Sequence, residues 1–454
     1  MKKITRRTFL DASAKAAAGL YTGLAALSIR PGKVLGANEV VNFALIGCGG
    51  RGRYVARGLI EQGARLIYLC DLHTERIDTA ANFITDVQAE KPQTTKLMQK
   101  ILDDKSVDAV VVATPDHWHA LCVILACQAG KDVLVEKPHC HNVWESRQMI
   151  KAARKYNRIV QVGTQNRSAP YIYKAIDYIN SGKLGDIHLI KVYNMKPAKP
   201  FKPFSLGPSS TPPEGFDWNT WLGAAPERPY NESIFEDGWH HFWDFSGGDF
   251  INDGSHQLDI ARMLMGNPSL PKAVSASGGK LHFKNDDSEM ADVLVVNYRF
   301  EDYIITFEQA NYPRYMQKTT NTIRRNDLLP YWTQNATRIE LYGSEEMMIL
   351  GRMGGGWVSM TSGGKVVEKQ YGRFPDPYHQ KNFIESVKSR KLPNADIELL
   401  HNSCCMMHMA NIAYRLGNKT LSVDPVGEKF IDNPEADKLL KRRYRKEFEV
   451  PEYV

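Results

Sequence analysis

No stretch of the 454 residues supplies the ~20 uninterrupted apolar positions that a membrane-spanning helix requires. The nearest approach, an Ala/Gly/Leu-rich run to about Ile29, carries Asp11 and Lys15. Cysteine is sparse: there are seven (Cys48, Cys70, Cys122, Cys127, Cys140, Cys404, Cys405), an odd number in mostly apolar surroundings. That argues against a disulfide framework and fits maturation in a reducing compartment. Two His/Cys groupings, His117 with His119 and His139-Cys140-His141, have no second ligand group at a usual structural-site spacing, so no metal is expected. A nucleic-acid stripe is also missing. The net charge of +7 includes a basic leader and the run Lys438, Lys441, Arg442, Arg443, Arg445, Lys446, which reads as a solvated helix face, and acidic residues interleave the rest. There is no internal repeat, and 43% hydrophobic with 24% charged residues is an ordinary globular balance that excludes a disordered chain.

What is present begins with Arg6-Arg7, followed by Phe9-Leu10 and the short apolar run. Basic then apolar is the order of a secretory signal, and the paired arginines resemble the twin-arginine route, used mainly by proteins that fold before crossing. Cleavage is expected near Ala37, giving a periplasmic protein with no stable membrane span afterwards. At ~150 residues per domain the remainder divides into two or three units. From Val40 to about Val162, short apolar runs alternate with segments of helical length, a pattern that requires parallel pairing with right-handed crossovers. After Gly163 a helix near 171–181 leads to strands at Ile187–Met195, Asp292–Phe300, Tyr303–Gln309, Arg338–Tyr342 and Met347–Leu350, several joined by hairpin-like turns. The expected organisation is a signal (1–37), a doubly wound parallel sheet (38–165), an α+β domain with a mostly antiparallel sheet (166–424) and a tail (425–454). The helix 398–416 is expected to pack back on the first domain.

Gly47, Gly49 and Gly52 complete a G-x-G-x-x-G pattern directly after an apolar strand and at the start of a helix. Missing Cβ atoms let the backbone approach a pyrophosphate, and the helix N-terminus stabilises its charge. Asp71, at the end of the next strand, can accept hydrogen bonds from ribose hydroxyls and would repel a 2′-phosphate, which favours NAD(H) over NADP(H).

Two further strand ends are polar: Thr114-Pro115-Asp116-His117-Trp118-His119 and Glu136-Lys137-Pro138. With the glycine loop, with Gly163-Thr164-Gln165-Asn166-Arg167 and with Gly247 to Asp259, they resemble the glucose-fructose oxidoreductase and inositol dehydrogenase (Gfo/Idh/MocA) family over nearly all of the chain after the signal. The resemblance implies an N-terminal Rossmann domain, a C-terminal α+β domain and a homo-oligomer. It implies cofactor contacts from Gly47, Gly49, Gly50, Arg51, Gly52, Asp71, Thr114, Pro115, His119, Glu136, Lys137 and Gln165. Oxidising a carbinol removes hydride and a hydroxyl proton. An ammonium beside the oxygen stabilises the developing alkoxide, and a neutral imidazole can accept the proton. Lys137 and His256 match the family's lysine and histidine in these roles. The family usually carries aspartate four residues before the histidine; here Asn252 stands there with Asp253 beside it, and on a helix either could face the imidazole.

An aromatic passage from Phe216 to Trp243 suits the C–H faces and hydroxyl rims of sugars, and Arg167, His240, Trp243 and Asp253 are the expected substrate contacts. The function expected is an exported sugar, glycoside or polyol oxidoreductase holding NAD(H) without exchange. Two alternatives remain at this stage: an NAD-dependent glycoside hydrolase acting by oxidation and elimination, and a non-catalytic sugar-binding protein on the same fold.

Overall fold

A computed structural model describes residues 39–197, 202–452 and 454. The signal and its cleavage site lie outside the described residues.

The first sheet takes β1 (Asn42–Ile46), β2 (Arg65–Cys70), β3 (Gln93–Thr95), β4 (Ala109–Val112), β5 (Asp132–Val135) and β6 (Val160–Val162), all parallel, in the order β3-β2-β1-β4-β5-β6. The crossovers are α1 (Gly50–Glu61), α2 (Thr74–Phe83), α3 (Met98–Asp103), α4 (Asp116–Gln128) and α5 (Val143–Lys155). Runs such as Ala109–Val112 are buried at every position, as strands covered by helices on both faces must be. The chain reverses at β1/β4, so the carboxyl ends of these strands open a crevice beside Gly47.

After α6 (Pro170–Asn180) and β7 (Ile187–Asn194) come four short helices: α7 (Trp218–Leu222), α8 (Glu232–Glu236), α9 (Gly248–Asn252) and then α10 (Gly254–Leu264). Nine more strands follow: β8 (Ala273–Gly279), β9 (Val293–Arg299), β10 (Ile304–Ala310), β11 (Arg338–Gly343), β12 (Met347–Gly351), β13 (Trp357–Met360), β14 (Val366–Gln370), β15 (Thr420–Asp424) and β16 (Lys429–Phe430). With β7 they form a ten-stranded sheet, antiparallel except where β7 meets β10. In β9, Leu294, Val296 and Tyr298 are buried while Val295, Asn297 and Arg299 face outward, so helices cover one side only. The covering helices include α10 and α13 (Ile397–Arg415); α11 (Asn321–Arg325), α12 (Asp376–Ser389) and α14 (Pro434–Asp437) complete the set.

α13 also reaches the first domain. Ile397, Leu400 and Cys404 share a hydrophobic cluster with Val133, Met149 and Val160. Asp396 caps the helix by accepting from Glu398 N and pairs with Arg154 of α5. The tail returns too: Phe448 and Val450 are buried in that same cluster. Among the described residues, no helix is long and apolar enough to cross a membrane.

Candidate active site

The glycine loop has the shape of a cradle. Gly47 has φ +95°, and a Cβ there would sit 2.5 Å from Ala113 O, while one on Gly52 would lie 2.1 Å from Gly47 O; these two positions admit only glycine. A Cβ on Gly49 or Gly50, by contrast, would meet nothing within 4 Å, so the space in front of the α1 N-terminus is open. Asp71 Oδ2 accepts from Cys48 N at 2.8 Å and Oδ1 from His73 N at 2.9 Å, which sets its carboxylate beside the loop with lone pairs to spare. Thr114 Oγ1, at the end of β4, is buried with no hydrogen-bond partner among the described residues, and Pro115 stands at the N-cap of α4 next to it. An open anion cradle, an adjacent carboxylate and an orphaned hydroxyl fit a dinucleotide.

Arg51, in the first turn of α1, donates to Glu136 Oε1 at 2.8 Å and to Asp376 Oδ2 at 3.0 Å. It therefore ties the glycine loop to the end of β5 and to the start of α12. Gln165 is buried in the 3-10 turn that follows β6, at the same sheet edge. His119 departs from expectation. Its ring nitrogens lie 2.7 Å from Pro138 O and 2.9 Å from Thr114 O, so it fastens two loops together and offers no atom to a cofactor.

Lys137 Nζ donates to Asn252 Oδ1 at 2.6 Å and to Asn252 O at 2.7 Å. Burial lowers its pKa, opposed by Asp253, Glu136 and Asp116. His256, in the first turn of α10, is buried, and its Nδ1 has no partner among the described residues. Burial, then the charges of Arg352 and Lys137, hold it well below the ordinary histidine value. The imidazole is therefore neutral, close to the ammonium, and has a nitrogen unengaged by protein.

Neither residue expected to orient the imidazole does so. Asn252, the last residue of α9, instead accepts from Lys137, and Asp253 lies between α9 and α10 with right-handed helical dihedrals. Asp253 meets Arg352 at 2.7 Å, Lys318 at 2.5 Å and Lys196 at 3.3 Å. These three cations fall outside the motifs that mark the rest of the site. Lys196 and Lys318 sit in irregular passages with no pattern to flag them; Arg352, at the end of β12 before a Met-Gly-Gly-Gly run, carried the one usable signal. Burial pulls Lys318 down to about 8, helped by Arg352 and Lys196 and opposed by Asp253. For Lys196, burial lowers the pKa but Asp249 and Asp253 outweigh it and hold it above the ordinary value.

A cleft of about 940 Å³ opens beside Asn252, bordered by Lys196, His240, Asp249, Lys280 and Lys318. His240 thus stands on its rim, with Nδ1 3.0 Å from Asp237 O. Two expected substrate contacts lie elsewhere. Arg167 is 1% exposed, with Nε and Nη2 donating to Asp259 at 2.8 and 2.7 Å and Nη2 also to Asn267 at 2.8 Å, so it is paired inside the core. Trp243 borders a second, smaller cleft with His141 and His408, and the Arg415 guanidinium lies 4.8 Å from its ring centre. Most other aromatics of that passage, Phe216, Trp218, Trp221, Tyr230 and Phe242 among them, pack on one another in a buried cluster. His117 is buried as well, 3.0 Å from Trp221 O.

Comparison with known proteins places the chain in a family. Residues 41–164 match the oxidoreductase family with an NAD-binding Rossmann fold, and residues 204–305 and 318–450 match that family's C-terminal alpha/beta domain. The chain is similar to scyllo-inositol 2-dehydrogenase (NAD(+)) of Bacillus subtilis strain 168, 25% identical over 363 residues, 78% of this chain and 88% of that protein. It is 31% identical over 174 residues to the alpha-N-acetylgalactosaminidase of Shewanella oneidensis, but that match spans only 34% of this chain and 38% of the relative. In fold it is similar to the WlbA dehydrogenase from Bordetella pertussis, crystallised with NADH and UDP-GlcNAcA, with TM-score 0.61, 19% identity, and coverage of 85% of this chain and 99% of that one. Since the matched segments extend through both domains, the chain belongs to the Gfo/Idh/MocA family of NAD-binding oxidoreductases.

Proposed function

We propose that this chain oxidises a CH–OH carbon of a sugar, glycoside or polyol, as an exported enzyme that keeps its NAD(H) through the catalytic cycle. The observation that carries the reading is the pairing of an ammonium fixed by Asn252 with a neutral, unengaged imidazole at the sheet edge beside the glycine cradle. Bound NAD supplies hydride acceptance and return. Lys137 holds the substrate oxygen and stabilises its developing negative charge, and His256 takes the hydroxyl proton on Nδ1. Gly47 to Gly52 and Asp71 hold the pyrophosphate and ribose. Retention through turnover follows from export by the twin-arginine signal, because free NAD(H) is scarce outside the cytoplasm. A second substrate, or the product itself, must then restore the oxidised form. Assembly through the uncovered face of the second sheet belongs to the same reading.

The match to a glycosidase supports a second reading, in which oxidation of one sugar carbon acidifies its neighbour, elimination breaks the glycosidic bond and hydride returns. To test the first, the purified protein is denatured, the released nucleotide identified, and intact protein offered glycosides and polyols. The proposal expects stoichiometric NAD(H) and a keto product. Free sugar plus aglycone with no net redox change would favour the second, and binding that yields neither a keto product nor released sugar would overturn both.

A further inference from the structure

Away from the cofactor edge, two thiols and two imidazoles from opposite domains converge in the interior. Cys140 follows Lys137 in the loop after β5, Cys404 lies on α13, and their Sγ atoms are 3.3 Å apart. His139 brings a ring nitrogen within 4.8 Å of both sulfurs. His408, one helical turn beyond Cys404, sets Nε2 3.7 Å from Cys140 Sγ. All four side chains are buried. The second ligand pair absent at any usual spacing from His139-Cys140 thus arrives from the far end of the chain.

We propose that His139, Cys140, Cys404 and His408 bind one zinc ion in a tetrahedral site that fastens α13 to the loop carrying Lys137. Two cysteines and two histidines are a zinc donor set. Zn–S bonds of about 2.3 Å set two sulfurs roughly 3.8 Å apart, so these thiols need separate by only about half an ångström. A disulfide, at about 2.05 Å, would require them to close by more than twice that. The Nε2 to Sγ distance already suits coordination.

The surroundings orient the ligands. Ser146 Oγ engages His139 Nε2 at 2.7 Å, which assigns Nδ1 to the metal, and the same hydroxyl lies 2.7 Å from His401 Nδ1. His401 Nε2 in turn reaches Glu428 Oε1 at 2.9 Å, so the chain ends on a carboxylate. His408 Nε2, now 3.3 Å from Cys140 O, would turn from that carbonyl to the ion. A route from outside exists, because His408 borders the smaller cleft, of about 400 Å³, with His141, Trp243 and Arg442. Binding displaces the thiol protons to solvent, so affinity falls as pH falls.

The test is elemental analysis of the full chain, purified without a histidine tag from zinc-supplemented cells, beside a Cys404→Ser variant. About one zinc per chain is expected in the wild type, reduced at least tenfold in the variant. Should the variant fail to fold, wild type exchanged into cobalt gives the answer: a sulfur-to-cobalt charge-transfer band with intense visible bands of a tetrahedral ion. The proposal is overturned by wild type that holds less than ~0.1 zinc after exposure to excess zinc and gives no such spectrum. A folded variant with full zinc, or a Cys140–Cys404 disulfide in the purified protein by non-reducing peptide mapping, would overturn it equally.

Discussion

His256, the proton acceptor in the proposed reaction, shows how the surroundings of one side chain set its charge state. Burial and the neighbouring Arg352 and Lys137 charges disfavour its cation, so its pKa is depressed and the neutral, proton-accepting form persists to lower pH than for a free histidine. The acid limb of kcat/KM is therefore expected below pH 6.5, the ordinary histidine value. A limb at or above that value, removed in His256→Gln, would mean that the imidazole is solvated or paired with a carboxylate. At this scale the placement of Lys137, His256 and Asp71 at one sheet edge was legible in the sequence because each follows a strand or belongs to a motif with a fixed backbone position. Arg167 and Trp243 were misread because the chain position of a motif residue does not say which way its side chain leaves the backbone. The three cations on Asp253 come from separate, distant segments, a juxtaposition that no local pattern encodes.

Between elements, the Arg167–Asp259 pair joins the turn after β6 to α10, the helix that carries His256. Asp259 Oδ1 also accepts from Ser403 Oγ of α13 at 2.7 Å, so three elements meet at one buried carboxylate. Arg167→Met would leave that carboxylate without its cation and should cost about 3–5 kcal/mol in chemical denaturation, with KM unchanged in the protein that remains folded. A loss under about 1 kcal/mol together with a raised KM would return Arg167 to the substrate site. Long elements with strong periodicity were readable: the strand expected at 303–309 is Ile304–Ala310, and the helix expected at 398–416 is Ile397–Arg415. The unread ones lack an apolar signature. β3 is Gln-Thr-Thr on a sheet edge, β14 is exposed throughout most of its length, and β8 is largely small residues. α2 ends at Phe83, and a turn and Pro92 precede β3. That Asn252 serves the lysine and not the histidine was equally invisible, because its partner comes from the loop after β5, remote in sequence.

Across the whole molecule, the groups assigned to the proposed reaction come from both domains: Lys137 from the parallel sheet, Asn252 and His256 from the helices on the second sheet. Arg51 and α13 hold those domains in register, and the tail residues Phe448 and Val450 close over the first. The parallel half was legible from alternation alone. The one-sided ten-stranded sheet was legible only in outline, because its pairing joins strands remote in sequence. The account rests on an ammonium at the site of hydride loss, and the measurement that bears on it most directly is single-turnover reduction of bound nicotinamide in Lys137→Ala against wild type, with nucleotide occupancy verified in both. A fall of ~10²–10⁴-fold at full occupancy is predicted. Reduction at a near wild-type rate would contradict it.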